Sequence, residues 1–177
     1  MVVRRSAGIL LYRRSAGRDR PPEILLAHPG GPFFSRRDEG HWSIPKGEPD
    51  EPDGDDLLLV ARREFEEETG HAAPARQADG SPPIDLGTIV QKGGKVVHGW
   101  AIEGDLDPTT AISNEFEMEW PPRSGRREVF PEIDRVAWFD PEEARRRLKA
   151  TQVPFVDRLV AALGTTAGHS VVDDGDT

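Results

Sequence analysis

The chain has 177 residues, a formal net charge of −9 and a pI near 5.1, which argues against a general duplex nucleic-acid binder, because such proteins present a basic face. The sequence contains no cysteine, so disulfide bonds, thiolate zinc sites and cysteine nucleophiles are excluded. It shows no signal-peptide pattern and no apolar run near the ~18 residues of a membrane span, so we expect a cytoplasmic protein with no membrane partner.

Apolar runs separated by turn-forming residues predict the elements of the first half of the chain. Residues 7–12 and 23–28 are predicted to be buried strands, and 42–45 a short extended segment. A helix is predicted to begin at Asp55 or Asp56 and to run to about Thr69. Gly70 suits the position that ends such a helix.

The second half predicts two more strands, at 86–90 and 96–102, joined as a hairpin around Gly93 and Gly94. Residues 105–128 are predicted to form a long loop, and 135–139 another strand. Asp140 and Pro141 are typical of a helix start and predict a helix over 144–149. A last amphipathic helix is predicted over 154–163. We expect one domain over residues 1–164 and a mobile acidic tail over 165–177.

The segment from Arg63 to Gly70 is dense in negative charge. Glu64, Glu67 and Glu68 are spaced i, i+3 and i+4, which places them on one helix face. Like charges at this spacing destabilise a helix by about 0.2–0.5 kcal/mol per pair. Mg²⁺ prefers oxygen ligands and is usually held by a few carboxylates together with substrate phosphates. The pattern therefore indicates a divalent-cation site; the alternative is a solvated acidic face.

Residues 47–70 resemble the Nudix box, a loop–helix signature with a glycine, a glutamate and then Arg-Glu-x-x-Glu-Glu-x-Gly. The last part of this signature is matched by Arg63, Glu64, Glu67, Glu68 and Gly70. Residues 42–47 and 137–144 are also similar to Nudix domains, and the resemblance covers roughly residues 3–164. It implies an α/β fold, namely a Nudix-like α/β/α sandwich with a mixed β-sheet.

The loop that leads into the helix departs from the family pattern. Asp55 occupies the place of the first glutamate, counted back from Arg63, and the loop from Gly47 is two residues longer than usual. This shorter side chain leaves the loop-bracing or outer metal role of that position open.

The resemblance implies Mg²⁺- or Mn²⁺-dependent hydrolysis of a nucleoside diphosphate linked to another group. Glu67 and Glu68 are implied metal ligands, and Glu64 is either a further ligand or the base that orients water. Arg63 completes the catalytic set, with a role in holding a carboxylate favoured over substrate contact. The implied metal ligands are the backbone carbonyl of Lys46 and the carboxylates of Glu64, Glu67, Glu68 and Glu132; Glu115, Glu117 and Glu119 are rivals for the position of Glu132.

The substrate needs cations for its phosphates and a surface for its base. We predict Lys46, Gly47, Trp42, Arg123 and Arg127 as substrate-binding residues. Aromatic side chains can stack on a base, but Trp42, Phe33, Phe34 and Trp120 can equally be core or loop anchors.

Residues 6–8, 42–47 and 95–100 are most similar to diadenosine tetraphosphate hydrolases. The leading hypothesis is therefore a Nudix pyrophosphohydrolase of a nucleotide or dinucleoside polyphosphate, with no nucleic-acid polymer as partner. One alternative is a housecleaning pyrophosphatase of nucleoside triphosphates. Another is a Nudix-like module that senses a nucleotide without turnover. The oligomeric state is left open.

Overall fold

The computed structural model describes residues 3–17 and 20–166. The strands are β1 (Arg5–Arg13), β2 (Glu23–Pro29), β3 (Lys46–Gly47), β4 (Ile84–Val90), β5 (Val96–Glu103), β6 (Glu115–Glu119), β7 (Arg127–Pro131) and β8 (Ile133–Phe139). The α-helices are α1 (Leu57–Thr69), α2 (Pro141–Arg147) and α3 (Val153–Thr166). None of these helices is long and apolar enough to cross a membrane.

The main sheet is mixed. Its strand order is β4-β5-β1-β2-β8, and the short strand β3 lies outside this order and pairs with β1. The β1–β5 pair is parallel and the others are antiparallel. The pairing of β3 places Gly47 opposite Ala7, so the loop before α1 starts from the centre of the sheet.

Helices cover both faces of the sheet. On one face α1 contributes Val60, Ala61 and Phe65 to a core with Ile9 and Leu11. On the opposite face, α2 and α3 build a second core. Strand β1 is buried along residues 6–12 because it lies between these two layers, which is why it reads as an unbroken apolar run. The predicted α/β/α sandwich with a mixed sheet is confirmed.

The predicted helix of the box is also confirmed. The Asp56 carboxylate caps its first turn, accepting the N–H groups of Leu58 and Leu59 at 3.1 Å each. Gly70 ends it in the left-handed conformation, at φ 74°, and donates its N–H to the carbonyl of Glu66. Both ends are fixed by local capping, so the acidic segment forms the last turns of a well-defined helix.

The prediction of a long loop over 105–128 was wrong for its second part. Residues 115–119 form β6, which pairs with β7 in a separate two-stranded sheet. Residues 115–119 alternate glutamate with an apolar residue, Phe116 and Met118, which is the pattern of a half-buried strand, so the loop prediction overlooked a local signal. At the other end of the chain, α3 runs to Thr166, and residues 167–177 of the predicted tail lie outside the described residues.

Candidate active site

Arg63 is the centre of the site. It lies on α1, and its Nη1 donates to Glu64 Oε1 at 2.9 Å and to both Glu67 oxygens at 3.1 Å. These carboxylates raise the pKa of Arg63 further above its ordinary value, after the larger effect of Asp53. The guanidinium therefore orients two glutamates of the helix face, which is the structural role favoured for it by the sequence.

Asp53 braces the loop before α1 and was missed by sequence reasoning. It is buried and accepts hydrogen bonds from Arg63 Nε at 3.1 Å and from Nη2 at 2.8 Å. Arg63 Nη2 also donates to the Glu48 carbonyl at 3.0 Å. Asp55, at the family's glutamate position, is exposed. The open bracing role is thus filled by Asp53, because the longer loop folds a short 3-10 turn, Glu51–Asp53, that turns this carboxylate inward.

The two aspartates provide a matched test of this assignment. Asp53→Ala is expected to lower divalent-metal affinity and activity by about 10–100-fold, because it frees the group that orients Glu64 and Glu67. Asp55→Ala should leave both close to the wild-type values. Metal titrations and initial rates on the two variants check this. Equal losses in both, or a loss in Asp55→Ala alone, would contradict the assignment.

Gly47 lies directly against the Glu64 carboxylate. A Cβ built on Gly47 would be 2.0 Å from Glu64 Cδ and 2.1–2.2 Å from its oxygens. The Glu64 side chain is only 12% exposed, and burial is the main reason that its pKa is raised. The absence of a side chain at 47 therefore lets this carboxylate approach the start of the loop.

Gly47→Ala is expected to separate activity from stability. The added methyl group meets the end of a side chain, not backbone, so the Glu64 carboxylate can move aside at little cost in folding. Moving it by about 1 Å should nevertheless cost on the order of 100-fold in kcat. Thermal melting and steady-state kinetics on one preparation test both halves. A fall in melting temperature with unchanged kcat would contradict the expectation.

Glu68 is the box carboxylate whose ionised form is most strongly disfavoured. Burial raises its pKa to about 8, although the Lys46 backbone N–H donates to Glu68 Oε2 at 3.1 Å and the Lys46 ammonium group also favours ionisation. Glu64 and Glu132 add to the increase. An isolated buried carboxylate is costly to ionise, so this position favours a bound cation.

Glu132 joins the group from outside the box. It precedes β8 and is fixed through the backbone: its N–H donates to the Asn114 carbonyl, and the Asn114 N–H donates to the Glu67 carbonyl, each at 2.8 Å. Burial raises the pKa of Glu132, and Glu67 adds to the effect. Of its rivals, Glu117 pairs with Arg127 and Glu119 accepts the Gly125 N–H at 3.0 Å. Both are engaged within the hairpin.

The structure thus places four carboxylates, beside Lys46 and Gly47, close enough to interact electrostatically: those of Glu64, Glu67, Glu68 and Glu132. Among the described residues, no three acidic or histidine side chains converge closely enough to form a ready metal-binding group. Binding one cation through three of them therefore requires side-chain movement. Their chemistry fits Mg²⁺ or Mn²⁺, since every donor is an oxygen, and burial followed by the neighbouring carboxylates raises the pKa of Glu64, Glu68 and Glu132.

The structure does not support the predicted stacking role of Trp42. Its ring is 2% exposed and packs edge-on against Phe139, with centroids 5.0 Å apart. Its Nε1 donates to Asp38 Oδ1 at 2.7 Å. The aromatic residue is a core anchor, which is the alternative that the sequence left open.

Arg123 and Arg127 lie toward the far end of the β6–β7 hairpin. The Glu119–Arg127 pair is four residues beyond the Glu115–Pro131 pair next to Glu132. At about 3.4 Å per residue, this places Arg127 roughly 13 Å along the hairpin. Its Nε is paired with Glu117. These arginines are therefore removed from the carboxylates.

A cleft of about 590 Å³ borders the carboxylates on the hairpin side. Its lining comes from the end of α1 and the segment before β6, and consists of Arg63, Glu66, Glu67, Gly70, Ile112, Ser113 and Asn114. This volume is in the range of small-molecule sites. The mixed sheet between helices thus places a carboxylate-rich helix end beside this cleft.

A family model for the NUDIX domain matches residues 1–160. The chain therefore belongs to the Nudix family and is a hydrolase acting on pyrophosphate bonds. No curated protein sequence gave a match.

Solved structures share the fold at low identity. An Ap4A hydrolase from C. elegans, in a binary complex, is 21% identical with a TM-score of 0.60, covering 92% of this chain and 99% of that one. A NUDIX hydrolase from Alicyclobacillus acidocaldarius is 15% identical, with a TM-score of 0.60 and 99% of both chains covered. The NUDIX domain of Shewanella oneidensis NrtR, complexed with ADP ribose, is 14% identical with a TM-score of 0.59, covering 92% and 90%.

Proposed function

We propose that this protein is a divalent-metal-dependent pyrophosphohydrolase of a nucleoside diphosphate linked to another group. The observation that carries the proposal is the cluster of Glu64, Glu67, Glu68 and Glu132. Burial and mutual repulsion disfavour their ionised forms, and Arg63 at Glu64 and Lys46 at Glu68 oppose this only in part. A cation held by these carboxylates and the Lys46 carbonyl would neutralise charge on the substrate phosphates.

The chain's own residues have separable tasks in this reaction. Arg63 holds Glu64 and Glu67 in place, and Asp53 holds Arg63. Glu64 is the candidate base that orients the attacking water, since burial raises its pKa toward the range in which a carboxylate accepts a proton efficiently. Lys46 supplies positive charge beside Glu68.

Among substrates, we favour a dinucleoside polyphosphate such as diadenosine tetraphosphate. The sequence similarity over 6–8, 42–47 and 95–100 supports this choice, as does a structural relative that is an Ap4A hydrolase. A long polyphosphate could also extend from the carboxylates toward the arginines of the hairpin. A nucleoside triphosphate is the second candidate, since its shorter chain needs only the carboxylate end of the site.

The test is a nucleotide panel assayed with and without Mg²⁺ or Mn²⁺. Diadenosine tetraphosphate should be split into two nucleotides, whereas a triphosphate pyrophosphatase would release pyrophosphate and a monophosphate. Chromatography of the products separates the two. Metal-independent turnover would contradict the metal assignment. Tight binding of one member with no turnover of any would refute the proposed metal-dependent hydrolysis of nucleotides.

A further inference from the structure

In the described part of the chain, two half-buried lysines lie beside Glu68 and have no ion-pair partner. Lys46 and Lys149 come from adjoining segments, because the Lys149 N–H donates to the Trp42 carbonyl at 2.9 Å and the Ile44 N–H donates to Gln152 Oε1 at 3.0 Å. Within residues 3–17 and 20–166, no carboxylate oxygen lies within 4.0 Å of either ammonium group. A half-buried charge without a counter-charge is costly, so these groups favour an anionic partner.

Both ammonium groups can be reached from outside. In the described part of the chain, no fully buried side-chain nitrogen or oxygen lacks a hydrogen-bond partner, so neither Nζ is sealed in the core. Lys149 lines a pocket of about 410 Å³, together with Gly40, Gln91, Lys92, Ala150 and Thr151. The pocket is separate from the cleft beside Glu67, whose lining residues are different.

Lys149 and Lys46 interact electrostatically with each other and with nearby carboxylates. Burial lowers the pKa of Lys149 most; Glu68 opposes the shift and Lys95 adds to it. Burial also lowers the pKa of Lys46, Lys149 adds to the shift, and Glu68 and Glu64 oppose it. Lys95 is already paired with Glu48 at 2.5 Å. Glu68 therefore acts on both lysines and Glu64 on Lys46, yet within residues 3–17 and 20–166 neither carboxylate is close enough to form an ion pair with either ammonium group.

We propose that Lys149 and Lys46 form an anion-binding subsite, on the Glu68 side of the carboxylate cluster, that takes a phosphate group of the substrate or product. The inference rests on the proposed function for its substrate class, a nucleotide with a polyphosphate chain. An ammonium group is a compact charge with three donors, which suits phosphate oxygens. Lys149 is a binding residue in this assignment, and its loop between α2 and α3 carries no motif that marks it in the sequence.

Inorganic tripolyphosphate is the probe, with its Kd measured by titration calorimetry in the presence and absence of Mg²⁺. Lys149→Met should raise this Kd by about 10–100-fold, the cost of losing a hydrogen bond between charged groups. Lys149→Arg should restore part of the affinity. Lys92→Met is the matched control, since it removes an exposed charge from the rim of the same pocket, and it should change Kd less than about 3-fold. If Lys149→Met does not fold, Lys149→Gln takes its place.

Nucleotide hydrolysis by the same proteins separates this inference from the proposed function. Suppose that the wild type hydrolyses a nucleotide and that the Lys149 variants have the same KM for it and the same Kd for tripolyphosphate as the wild type. The subsite is then refuted and the proposed function stands. If no nucleotide is hydrolysed but tripolyphosphate binding depends on Lys149, the subsite stands and the proposed function fails. If Lys92→Met loses as much tripolyphosphate affinity as Lys149→Met, the effect comes from the overall positive charge and not from a specific site, and the subsite is refuted.

Discussion

Glu67→Gln is expected to lower kcat by about 10²–10⁴-fold while the protein stays folded. The substitution keeps the size of the side chain and its bond to Arg63, but removes the charge that a divalent cation needs. Interactions that neutralise developing charge on a phosphoryl group are worth several kcal/mol, which sets this range. Initial rates at saturating substrate, with Mg²⁺ varied, measure the effect.

Glu142→Gln is the matched control for this variant. Glu142 is exposed on α2 and does not line the cleft, and the substitution changes the net charge equally. It should retain nearly full activity. Circular dichroism and melting curves establish that both variants are folded. Full activity in Glu67→Gln, or an equal loss in Glu142→Gln, would remove Glu67 from the metal site.

Local sequence signals were sufficient to predict α1, the helix that carries most of the candidate site. Asp56 and Gly70 cap it through contacts within a few residues, so its limits and its acidic face could be predicted. Apolar runs predicted most strands of the main sheet, whereas its arrangement as a mixed sheet between helices was implied by the family resemblance. Glu132 was placed by its offset from Trp138 in a family pattern, and its position next to Glu67 depends on a backbone relay through Asn114.

Tertiary packing decided the features that were missed. Asp53, not Asp55, braces Arg63, because a short turn in the lengthened loop sets which carboxylate points inward. Trp42 is a core residue because the Leu148 segment and Phe139 close over it. Lys149 lies near Lys46 only because the loop after α2 pairs with residue 42. A single sequence gives no local signal for contacts of this kind.

Glu68→Gln is expected to stabilise the metal-free protein above neutral pH. In the folded protein burial raises the pKa of Glu68 to about 8, whereas in the unfolded chain the carboxyl titrates near 4.5. Between these values the unfolded chain has released a proton that the folded protein retains. The contribution of Glu68 to stability therefore falls as pH rises from about 4.5 to 8, and levels off above that.

A glutamine has no proton to release, so its stability curve lacks this fall. Its carbonyl can still accept the Lys46 N–H, as Glu68 does. Since one unit of pKa shift is worth about 1.4 kcal/mol, the variant should gain on the order of 1–3 kcal/mol over wild type by pH 8. For a chain of this size, that corresponds to a few degrees in melting temperature, about 2–4 °C per kcal/mol.

Divalent metal should reverse the order of stability, so that the wild type becomes more stable than Glu68→Gln. Mg²⁺ binds the ionised carboxylate, so saturating metal is expected to raise the melting temperature of the wild type and to leave Glu68→Gln nearly unchanged. Melting curves between pH 5 and 8.5, with EDTA and with Mg²⁺, measure both effects, and Glu142→Gln controls for the lost charge. Parallel pH curves for wild type and Glu68→Gln would show that Glu68 is ionised without metal. Glu68 has these opposite effects because ionising its buried carboxylate destabilises the metal-free protein, whereas the same ionised carboxylate binds the metal and stabilises the metal-bound protein.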